Sequence, residues 1–72
     1  MVYKKIDRDQ KNAMRSNLEK VLENQKSLGE NIDSYEQSTN VNEYRQFWQE
    51  LKNRNNETIR IVSRYMINKC NR

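Results

Sequence analysis

The sequence predicts an all-α protein: a helix-loop-helix hairpin with a basic C-terminal helical arm, associating as a homodimer. Three observations point there. Apolar residues recur at three- and four-residue spacings in two separate stretches, Met14 to Ile32 and Val41 to Leu51, which is the repeat of one helix face. The formal net charge of +4 falls wholly in the last fifteen residues, because residues 1–57 hold ten basic and ten acidic side chains. Finally, only 33% of the 72 residues are hydrophobic. A lone hairpin of this size rarely gathers ~3–5 kcal/mol without a staple. One cysteine allows no intrachain disulfide, and the lack of histidine removes most zinc sites. Oligomerisation remains, and a dimer is the default.

The first helix is predicted over about residues 8–28, after a lead-in that offers Val2, Tyr3 and Ile6 for packing. Asp7 and Gln10 have capping-box spacing, and Asp7 and Asp9 suit the positive end of the helix dipole. Met14, Leu18, Val21, Leu22, Leu28 and Ile32 form its apolar stripe, with Gln25 filling one step. Gly29 is either a left-handed C-cap beyond Leu28 or a glycine inside a longer helix, the latter costing about 1 kcal/mol. A polar turn follows over Ser34–Asn40. Asn40 and Glu43 form a second capping box. The second helix then carries Val41, Tyr44, Trp48 and Leu51 on one stripe, with Phe47 on its flank. Leu18, Val21, Leu22, Leu28, Tyr44, Phe47, Trp48 and Leu51 are the expected dimer core.

Lys52–Glu57 has no apolar side chain, and Asn55 falls where the stripe next needs one. A polar residue on a helix seam can fix register at some cost in stability. This stretch divides the chain into a dimerisation region, 1–57, and a partner-binding arm, 58–72. On a helix, Ile59, Val62, Met66 and Cys70 share one stripe of the arm, while Ile61 and Tyr65 project from a second face beside Arg60 and Arg64. One stripe suffices for packing on the chain itself. The second implies a partner, unless both faces are buried in an oligomer core.

The inventory disfavours catalysis. There is no histidine, the carboxylates are spread along helix faces, and a single glycine leaves no phosphate-cradling loop. No cofactor or metal is expected. The absence of a signal-peptide pattern and of a long apolar run, with a lone cysteine, fits a cytoplasmic protein that does not span a membrane. Three binding partners compete: nucleic acid, a membrane surface, and a protein with an acidic, apolar-lined groove. Four positive charges neutralise few phosphates and anchor weakly to lipid. An amphipathic helix laid in an acidic groove uses both properties of the arm.

In its length, its Asn- and Lys-rich helical organisation and the segment RIVSRYMINKCNR at Arg60–Arg72, the chain resembles internal scaffolding proteins of tailed-phage capsids. More narrowly it resembles the capsid morphogenesis proteins of staphylococcal pathogenicity islands. The resemblance implies a helical homodimer inside an assembling procapsid. It also implies that the C-terminus binds a helper phage's major capsid protein and redirects assembly toward smaller shells. Carried onto this sequence, Arg60, Ile61, Val62, Arg64, Tyr65, Lys69 and Arg72 are the capsid-binding positions. A small nucleic-acid-binding or host-factor-binding regulator of a phage or mobile element is the alternative.

Overall fold

The computed structural model describes residues 6–70 as two helices, α1 (Arg8–Gln37) and α2 (Asn42–Tyr65), followed by a π-helical turn, Met66–Cys70. Val2, Tyr3 and Arg72, and the side chain of Cys70, lie outside the described residues. The fold is all-α, with no strand among the described residues. Cross-helix bonds pair Glu36 with Gln49, Asp33 with Lys52 and Gln25 with Asn55. One partner's number falls as the other's rises, so the helices run antiparallel. The resulting rod measures 57 × 22 × 15 Å, two helices wide and one helix thick. Stable domains stack two layers around a core. This hairpin supplies one.

α1 is 30 residues long and runs through Gly29 instead of stopping there. The C-cap reading of Gly29 gives way to the mid-helix one, and the reason is tertiary. Gly29 is buried, and a Cβ built on it would stand 2.6 Å from Asn55 Oδ1. The helices need a residue without a side chain where they approach each other. α1 ends only at Ser38, whose amide donates to the carbonyls of Ser34 and Tyr35 while its hydroxyl donates to that of Tyr35. Thr39 N–H closes on Glu36 O, satisfying another end carbonyl. The turn is thus shorter than the predicted Ser34–Asn40.

Neither capping box forms. Asp7 is the N-cap of α1, as its position suggests, but makes no side-chain cap bond. The N-cap of α2 is Val41, one residue beyond the predicted Asn40, and also lacks one. Thr39 Oγ1 instead accepts from the Val41 amide at 3.4 Å, and Arg45 N–H opens the helical ladder on Val41 O at 2.9 Å.

The intrachain seam alternates steps of three and four on both helices. Arg15, Leu18, Leu22, Gln25, Gly29, Ile32 and Glu36 of α1 face Trp48, Lys52, Asn55, Ile59 and Val62 of α2 and Met66 of the π-helical turn, all buried or half-buried. This is the a/d pattern of an antiparallel coiled coil. Polar side chains occupy much of it, so Ile32, 1% exposed, is its one fully buried apolar residue. Of the residues expected in the core, Leu18, Leu22, Trp48 and Leu51 are half-buried. Val21, Leu28, Tyr44 and Phe47 are exposed in the hairpin, the last two by 58% and 57%. A two-helix seam has room for about two positions per heptad, and these four lie one position or more outside it.

Candidate protein-docking surface

α2 continues unbroken through the boundary expected at residues 57 and 58, so the basic arm is the end of a helix that starts at Asn42. β-branched Thr58, Ile59, Ile61 and Val62 are poor helix formers in isolation. Packing against α1 through Ile59, Val62 and Met66 keeps them helical. Val62 therefore faces the chain's own seam, unlike Arg60, Ile61, Arg64, Tyr65 and Lys69. Arg60, Ile61, Arg64, Tyr65 and Lys69 are exposed, Ile61 by 59%. The structure brings four of the proposed positions together: Ile61, Arg64, Tyr65 and Lys69, with Asn68, line a shallow cleft of about 240 Å³. Its floor is apolar and its rim carries two cations. Arg60 lies one helical turn before Arg64 on the same edge.

The polar stretch Lys52–Glu57 acts differently from a spacer. Asn55, 5% exposed, inserts across the seam, and its Nδ2 donates to Gln25 O at 2.8 Å and to Gln25 Oε1 at 2.7 Å. Its Oδ1 has no hydrogen-bond partner. Lys52 Nζ donates to Asp33 Oδ2 at 2.7 Å and to Gly29 O at 3.3 Å, laying its aliphatic stem along the seam. Gln49 Nε2 closes on Glu36 Oε2 at 2.8 Å nearer the turn. These bonds fix register, because sliding α2 by one turn would leave Asn55 buried against carbon. The sequence gives Asn55 away as a polar residue on a seam. It does not give Gly29 as the residue beneath it.

Compared with protein-family models, with curated proteins and with solved structures, this chain matches none. The site must therefore be read from its own geometry. Among the described residues no group of His, Cys, Asp or Glu is placed to hold a metal ion, and no helix is long and apolar enough to cross a membrane. What the tail end offers is an apolar cleft with a cationic rim.

Proposed function

We propose that the chain is a non-enzymatic interaction protein whose basic cleft docks an acidic, apolar-faced segment of a protein partner. One observation carries this reading: Ile61 and Tyr65 are exposed on a helix already packed by its other stripe, and Arg64 and Lys69 rim the cleft they form. Apolar contact there supplies affinity, and carboxylates meeting the rim and Arg60 add charge-assisted hydrogen bonds, each about 1.5–3 kcal/mol when partly desolvated. A capsid protein is one partner of this kind, and the one the resemblance to scaffolding proteins names. Few contacts per subunit suit a scaffold that must bind many subunits and then release them.

The direct test is titration with a labelled amphipathic helical peptide that carries glutamates beside leucines. Binding should weaken with salt. It should disappear in Arg60→Ala/Arg64→Ala at unchanged helicity, since both side chains are exposed. Equal affinity of the variant, or tighter binding to DNA than to the peptide, overturns the reading. For the capsid form, co-expression with a candidate capsid protein should give small shells with the parent chain and not with the double variant.

A further inference from the structure

The outer side of α2 carries hollows of one design. Phe47, Glu50, Leu51 and Arg54 frame one of about 170 Å³. Leu51, Arg54, Asn55 and Thr58 frame the next, of about 180 Å³, with Gln25, Leu28 and Ile32 of α1 as its other wall. The tail cleft repeats the pattern with Ile61, Arg64, Tyr65 and Asn68. In each hollow the framing residues stand three, four and seven positions after the first. Four residues at those steps make the hole that receives an apolar knob in a coiled coil. The first residues, Phe47, Leu51 and Ile61, belong to one alternation of four- and three-residue steps, continued between them by Arg54 and Thr58. α2 thus turns one heptad seam toward α1 and a second outward.

The outward seam has a charged flank. Glu43, Glu50 and Glu57 stand seven residues apart, all exposed, and Arg64 continues their row at the tail. Glu50 approaches Arg54 at 3.8 Å, but both side chains are exposed, so solvent screens that pair and the row stays acidic. On the other flank lies α1, whose exposed Leu28 and Tyr35 extend the apolar floor.

We infer that this seam takes one heptad-repeat helix of another protein, edged with Lys or Arg where it passes Glu43, Glu50 and Glu57. Charges flanking a coiled-coil seam set the choice of partner. A copy of α2 would bring the same glutamates, so the row selects a different helix. Arg54 occupies a seam position, where an apolar knob would bury its charge unpaired, so the partner is polar or acidic opposite it. At the tail the sign reverses, and carboxylates meet Arg64 and Lys69. There the inference rests on the cleft reading; at the first two hollows it does not. The partner helix is therefore basic along most of one edge and acidic at the end that reaches the tail.

The test is titration of the full chain with a labelled helical peptide of about three heptads, leucine at its seam positions and lysine along its edges. Binding is expected, and Glu50→Lys/Glu57→Lys should weaken it at least about 10-fold. The same change of charge on the opposite side of α1, Glu23→Lys/Glu30→Lys, should leave it unchanged. Phe47→Asn, which removes apolar floor from the first hollow, should weaken it by a similar factor. No binding, equal loss from the two charge reversals, or indifference to the reversal at Glu50 and Glu57 overturns the inference. All four glutamates are exposed, so the reversals decide even if Phe47→Asn disturbs the ring contact with Trp48. Sedimentation equilibrium of the chain alone checks the rival occupant: a dimer broken by Glu50→Lys/Glu57→Lys assigns the seam to a second copy and also overturns the inference. The cleft fails separately, since Arg60→Ala/Arg64→Ala is read on the acidic peptide and should not weaken the lysine-edged one.

Discussion

The two long faces of the hairpin invert the usual expectation. The seam that joins α1 to α2 contains Arg15, Gln25, Glu36, Lys52 and Asn55, yet it is the closed one. The neighbouring face contains Met14, Val21, Leu28, Tyr35, Phe47 and Ile61, yet it is open. Polar residues inside the seam contribute register more than stability, since each bond between amides adds only about 0.5–1.5 kcal/mol net and their burial must be offset. Apolar residues outside it contribute nothing until something covers them. The difference teaches that polar bonds set the register of a seam still held by Leu18, Leu22, Ile32, Trp48, Ile59, Val62 and Met66, while a second set of apolar residues stays open beside it.

The comparison can be broken most severely at Ile32. It is the fully buried apolar side chain of the seam, so Ile32→Ala should cost about 2–5 kcal/mol. Thermal melting followed by circular dichroism should show a hairpin that is largely unfolded at 25 °C. The equivalent truncation on the open face, Val21→Ala, should leave the hairpin's helicity unchanged. Equal loss from both would mean that the faces do not differ.

Gly29 and Asn55 sharpen the register argument. Alanine favours a helix interior over glycine by about 1 kcal/mol. At position 29, however, its Cβ would displace the Asn55 amide and both bonds to Gln25, so Gly29→Ala should destabilise by about 1–2 kcal/mol. In an Asn55→Ala background the obstacle is gone, and the same substitution should become stabilising. Urea denaturation of the four proteins of this double-mutant cycle reads the sign change. Additive effects would remove Asn55 as the cause of the glycine requirement.

The smallest effect belongs to the ion pair. Asp33 is half exposed on its side chain, so the 2.7 Å contact with Lys52 is screened. Asp33→Asn should cost about 0.5 kcal/mol or less, and less still in 0.5 M salt. Lys52→Ala should cost more, because it also removes an aliphatic stem from the seam. Chemical denaturation at two salt concentrations separates the two contributions.

The sequence by itself determined that the chain is two helices and a short turn: three- and four-residue spacing, a polar Ser38–Thr39–Asn40 and no proline leave little else. It also marked Asn55 as a polar seam position, and it separated Ile61 and Tyr65 from the stripe of Ile59, Val62 and Met66. What it could not decide was which of two adjacent apolar stripes each helix turns toward the other. Met14, Val21 and Leu28 lie one residue from Arg15, Leu22 and Gly29, so a rotation of about 100° exchanges them. By hydrophobicity alone the former set would be inside. The tertiary structure chose the latter because Gly29 admits Asn55 and close backbone approach, and because Gln25, Lys52 and Glu36 find partners only across that seam. The same choice carried α1 through its glycine for two further turns and left a second apolar face outward.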